Sequence, residues 1–120
     1  FLSTPFQEKL NPVEMTVFTV AYVDSDDGGI HGIIESRAGS PVPRSGFNLY
    51  ARMDGPGNTY QLWMGSNTTW QTVSTPTNAA EGQVADILTG RIYGGDGAGS
   101  AATLELYENG QGPYSTTGPF

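Results

Sequence analysis

The sequence predicts an all-β fold, a two-sheet antiparallel β-sandwich forming a single domain over residues 1–120. Short runs alternate between apolar and polar residues at every second position, the pattern of a strand with one buried face. Turn residues separate these runs at regular intervals, as in sandwiches and barrels. The chain also holds 17 Gly and 8 Pro. That is many for a helical protein and ordinary for short strands joined by many turns.

In chain order, residues 1–6 are apolar with Pro5 inside and suit an edge strand. Residues 7–12 are a polar connection. Residues 15–23 make the most strand-like run, β-branched and aromatic on both faces, so a central strand covered on both sides is expected. An acidic turn over 24–29 ends it. Residues 30–37, with Ile33 and Ile34, form the next strand, and 38–45, with Pro41 and Pro43, a loop.

Residues 46–74 read as a meander of three strands. Phe47, Leu49 and Ala51 point one way, Asn48, Tyr50 and Arg52 the other. Gly55, Pro56 and Gly57 break the run, since glycine accepts tight reversals and proline has no N–H for a ladder. Tyr60, Leu62 and Met64 then share one face, Gln61 and Trp63 the opposite one. Residues 65–67 turn the chain into a third run over 68–73. After a loop, residues 83–93 read as a strand anchored by Val84, Ile87 and Ile92. A Gly-rich turn over 94–100 leads to a strand over 103–108, with Leu104 and Leu106 on one face and Glu105 and Tyr107 on the other. Asn109 and Gly110 are a strong hairpin signal. Residues 111–120 carry two Pro and two Gly, so a poor strand partner is expected there, with the preceding edge covered from outside residues 1–120.

Composition excludes several function classes. Only 14% of residues are charged and the net charge is −7, so the basic face that nucleic acid needs is missing. No Cys is present, which removes disulfides and thiolate metal sites. No apolar run is long enough for a membrane span. The chain starts at Phe1 rather than Met, so a processed chain or a piece of a longer one is expected.

Particular residues go further. Asn11 and Pro12 precede the long apolar strand. Ile33, Ile34, Glu35, Ser36 and Arg37 follow, then Gly46 to Ala51, then Tyr60 to Gly65 and Trp70. Leu106, Tyr107, Glu108, Asn109 and Gly110 close the series. In this order and spacing they resemble the laminin-G-like family, over residues 11–110. The resemblance implies the concanavalin A-like jelly roll of lectins and glucanases. Two departures stand out. The family's Trp and His before the final hairpin are replaced by Val84, Ala85 and Asp86, and the two or three further strands expected after it are missing.

Three groups of residues bear on chemistry. His31 is the only histidine, and no spacing sets a nucleophile or carboxylate beside it. Glucanases of the fold place carboxylates at alternate positions on one strand; no such run occurs, so a non-enzyme is expected. Asp24, Asp26 and Asp27 form the densest oxygen cluster. Some laminin-G-like domains bind calcium at the sandwich rim, so calcium is one reading; a solvated acidic turn is the other. Trp63, Trp70, Tyr60 and Tyr50, with the amides Gln61, Asn48 and Asn67, carry the third possibility. Aromatic faces stack on the C–H face of a sugar and amides bond its hydroxyls, while large aromatics also fill sandwich cores. Asn67, Thr68 and Thr69 fit the N-glycosylation pattern.

The function expected is a non-catalytic carbohydrate-binding or adhesion module, extracellular or on a virion surface. Its partners would be a glycan or neighbouring protein chains in a larger assembly. The alternative is a structural or assembly domain of a phage virion or extracellular fibre, with no glycan ligand.

Overall fold

The computed structural model describes residues 14–24, 28–38, 44–55, 57–80, 82–96 and 100–119, with the backbone alone at Ala38 and Asn67. These residues form eight strands and no helix: β1 (Met15–Tyr22), β2 (Ile30–Ala38), β3 (Arg44–Arg52), β4 (Thr59–Asn67), β5 (Trp70–Ser74), β6 (Ala85–Tyr93), β7 (Ala101–Glu108) and β8 (Gln111–Pro119). They pair antiparallel in two sheets of four, ordered β1-β6-β7-β8 and β2-β3-β4-β5. The two-sheet sandwich read from the alternation is the fold observed.

The core lies between the sheets. One sheet contributes Phe47, Leu49, Ala51, Tyr60, Leu62, Met64 and Val73, the other Ala21, Leu88, Ile92, Leu104 and Leu106. A side chain of this kind stabilises the fold by about 1.5–3 kcal/mol when fully buried. Gly90 marks where the sheets approach: a Cβ there would lie 3.1 Å from Val17 Cγ1 and 3.4 Å from Leu62 Cδ2. One polar link crosses the core. The buried Tyr60 hydroxyl on β4 donates to Asp86 Oδ2 on β6 at 2.6 Å. Asp86 Oδ1 accepts from Asn109 Nδ2 at 2.7 Å, which ties the β7–β8 turn to the same carboxylate.

Four expectations are corrected. Among the described strands β1 lies at a sheet edge, not in the middle. Met15, Val17, Thr19 and Ala21 turn towards the core, while Phe18, Val20 and Tyr22 are exposed on the outer face. An apolar run on both faces was read as double coverage, but among the described elements only the inner face is packed. Second, residues 111–119 are a full strand paired with β7. Their prolines are accommodated because β8 is an edge: Pro113 falls where the register shifts between Leu106 and Glu108, and Pro119 is the terminal strand residue. The edge of β7 is therefore covered from within the chain. Third, the inward residues of β6 are Asp86, Leu88, Gly90 and Ile92, whereas Ile87 and Val84 are exposed. Asp86 takes an inward place because two side-chain donors meet it there. Fourth, Tyr60 does not join the sugar platform read for it: it is 0% exposed in the core, because it shares the inward face of β4 with Leu62 and Met64. Of the two readings left open for Trp63 and Trp70, the outer one is observed: both lie outside the core cluster, on the outer side of their sheet. The edge strand read for residues 1–6 falls outside the described residues.

Candidate functional site

The outer face of the β2-β3-β4-β5 sheet gathers Trp63, Trp70, Tyr50, Gln61 and Asn48 of the residues that the sequence singled out for sugar binding; Tyr60 lies in the core. The six-residue connection between β3 and β4 pairs Arg52 with Thr59 and so sets the register of everything behind it. Asn48 lies across from Trp63, and Tyr50 across from Gln61. β5 adds Thr72 beside Trp63, and Trp70 beside Gly65. β2 adds Glu35 beside Asn48, and Arg37 beside Gly46. Three cross-strand rows result: Gly32, Tyr50, Gln61, Ser74; then Glu35, Asn48, Trp63, Thr72; then Arg37, Gly46, Gly65, Trp70.

The aromatic rings form a continuous ridge. The Tyr50 and Trp63 centroids are 5.8 Å apart at 40°, and those of Trp63 and Trp70 are 6.1 Å apart at 59°. Both indoles are partly exposed, while Tyr50 and Gln61 are buried against them. Gln61 holds the ridge in place. Its Oε1 accepts from Tyr50 Oη at 2.8 Å and from Trp63 Nε1 at 3.0 Å, and its Nε2 donates to Thr59 Oγ1 at 3.3 Å. Burial pushes the Tyr50 hydroxyl above its ordinary value, with Arg52 pulling the other way, so Tyr50 stays a neutral donor.

Beside the ridge the last row has no side chain between Arg37 and Trp70. Glycine is required at both places. A Cβ on Gly65 would run into the carbonyl of Arg44, and one on Gly46 into that of Ser36; Gly46 also has φ +96. Both glycines are buried, with backbone atoms where their side chains would stand; the indoles lie on one side of them and the ion pair of Arg37 and Glu35, 3.3 Å apart, on the other. Asn48 lies in the neighbouring row. Asn48 Oδ1 is buried and accepts no hydrogen bond from the described residues. A buried unpaired acceptor costs roughly 1–3 kcal/mol.

The other residues considered from sequence fall elsewhere. Asp24 is exposed just beyond β1; Asp26 and Asp27, the remaining two of the calcium reading, lie outside the described residues. Among the described residues no group of three or more His, Cys, Asp or Glu is placed to hold a metal ion. Asp54 pairs with Arg52 at 2.6 Å, and Asp96 accepts from Ser100 N and Oγ at 3.1 and 2.6 Å, so both stabilise turns. Sequence reasoning missed Glu35, Arg37 and the two glycines as neighbours of the indoles. The signal was the β3–β4 hairpin, whose register brings Gly46 beside Gly65 once Arg52 faces Thr59.

A second polar cluster occupies the opposite outer face. Glu105 accepts from Arg91 Nη1 at 2.9 Å, Tyr93 Oη at 2.8 Å and Tyr107 Oη at 3.1 Å, and the Arg91 guanidinium lies 5.0 Å from the Tyr93 ring centroid. The hydrogen bond to Glu105 raises the Tyr93 hydroxyl, with burial adding to it. Glu105 is saturated by these donors, which suits a structural clasp across β6 and β7.

Compared with known proteins, the chain matches no protein-family model, no curated protein and no solved structure.

Proposed function

We propose that the protein is a non-catalytic carbohydrate-binding or adhesion module of the laminin-G-like, concanavalin A-like jelly-roll type, acting outside the cell or on a virion surface. One observation carries the reading: a ridge of Tyr50, Trp63 and Trp70 on the outer face of the sheet, with both indoles partly exposed. Indole faces suit the C–H face of a pyranose ring. Gln61 acts indirectly, by fixing the Trp63 indole. A hydrolase would need two carboxylates flanking the bond. Near this ridge Glu35 is paired with Arg37, and Asp54 with Arg52, an arrangement that suits binding rather than hydrolysis.

A second reading is favoured by the exposed apolar edge at β1: a structural or assembly domain of a phage virion or extracellular fibre, packing against neighbouring chains. A glycan array with the wild type, Trp63→Ala and Trp70→Ala separates the two. The expected result is binding to a defined set of glycans, weakened at least tenfold by either substitution, since a buried aromatic contact is worth about 1.5–3 kcal/mol. A wild type that binds no glycan, or variants that bind equally well, would overturn the carbohydrate reading and leave the assembly role.

A further inference from the structure

The outer face that carries the indole ridge also gathers positive charge. The chain has 5 basic residues against 12 acidic ones. Three of the basic ones, Arg37, Arg44 and Arg52, lie on this face. Arg37 is across from Gly46. Arg44 and Arg52 share the outer side of β3 with Asn48 and Tyr50, and the β3–β4 register is unbroken from one arginine to the other. Among the described residues two carboxylates accompany them, Glu35 and Asp54. Burial raises the Tyr50 hydroxyl, while Arg52 and Arg37 pull it down, so the field of both guanidinium groups reaches the ridge.

The arginines differ in how they are occupied. Arg52 holds Asp54 at 2.6 Å, and on the other sheet Arg91 holds Glu105 at 2.9 Å. Arg44 has no carboxylate partner among the described residues. Arg37 meets Glu35 through Nε at 3.3 Å, with the two side chains 53% and 46% exposed. A pair so open to water contributes little to stability, so a ligand anion competes for this guanidinium. Arg37 and Arg44 are diagonal neighbours across β2 and β3, in the rows at the Trp70 end of the ridge. Such neighbours stand about 7–8 Å apart, within reach of long side chains. Gly46 adds no side chain between them.

We propose that this face selects an acidic glycan: a pyranose ring stacks on the Trp63–Trp70 ridge and its carboxylate is bound by Arg44, with Arg37 beside it. The inference rests on the carbohydrate reading and adds the chemical class of the sugar. A guanidinium suits a carboxylate because its planar fork donates two parallel N–H···O bonds. Trp70 on β5 is two strand spacings from Arg44 on β3, about 10 Å. One sugar ring and one arginine side chain together span that distance. Glu35 limits the affinity, since it competes for Arg37 and repels the ligand carboxylate.

Titration calorimetry with the 120-residue chain tests this. The probes are oligogalacturonate, alginate oligosaccharide and sialyllactose, each beside its carboxyl-reduced, neutral form. The expected result is binding of a carboxylated probe that falls as salt rises. Carboxyl reduction and Arg44→Gln should each weaken it at least about tenfold. Which probe binds assigns the acid to a uronate or to a sialate. Glu35→Gln should act in the opposite direction and tighten binding roughly two- to fivefold, a gain that a damaged fold cannot produce. Carboxylated and reduced probes bound alike, neutral glycans bound alone, or an Arg44→Gln variant equal to wild type would overturn the inference and leave the carbohydrate reading standing. No binding to any glycan, charged or neutral, would overturn both.

Discussion

Tyr60→Phe removes one oxygen and tests the polar link through the core. The Tyr60 side chain is 0% exposed, and its hydroxyl is 2.6 Å from Asp86 Oδ2. Asp86 is 3% exposed. With the hydroxyl gone, Asp86 keeps its bond from Asn109 but Oδ2 loses the donor from the opposite sheet. A hydrogen bond to a charged group contributes about 1.5–3 kcal/mol, so the variant should lose roughly 2–3 kcal/mol. At about 2.1 cal/mol/K of unfolding entropy per residue, that lowers the midpoint by roughly 8–12 °C for a chain of this length. Urea titration and thermal melts followed by far-UV dichroism measure both. High pH adds a second readout. Burial, then the bond to Asp86, raises the Tyr60 hydroxyl well above its ordinary value of 10.0. The folded state therefore holds a proton that the unfolded state releases. That stabilisation is complete below pH 10 and is lost as pH rises beyond it. Tyr60→Phe should make the alkaline fall in stability shallower by up to about 1.4 kcal/mol per pH unit. A variant within about 0.5 kcal/mol of wild type at neutral pH, the size of an inconsequential surface change, would refute the link between the sheets.

Two further substitutions probe the turn and the ridge. Asn109→Ala should cost about 2–4 kcal/mol, and Asn109→Gly about 1 kcal/mol less, because Asn109 has φ 49 and its side chain bonds both Asp86 and the Ile87 amide; equal urea midpoints for the two would remove the backbone part of the argument. Gln61→Leu should leave the fold intact while freeing the Trp63 indole, read as a red-shifted tryptophan emission and a roughly tenfold loss of glycan binding; an unchanged emission would mean that packing alone orients Trp63.

The legibility of this fold varies strand by strand. Residues 46–74 were readable because each strand there has one apolar and one mixed face, and a short hairpin carries the register from one to the next. The faces of Phe47, Leu49, Tyr60, Leu62, Gln61 and Trp63 follow from alternation alone. β1 was readable as a strand but not in its place. Phe18, Val20 and Tyr22 are as apolar as the inward residues, so the pattern holds no sign of which face meets water. β6 hid its inward face in the same way, since Asp86 is buried for a partner on another strand and Ile87 is not. β8 failed on composition, because proline and glycine count against a strand unless it is already known to lie at an edge. The site was half legible. The aromatic and amide residues were named from sequence, but the row that places Gly46 and Gly65 between Arg37 and Trp70 depends on pairing across four strands.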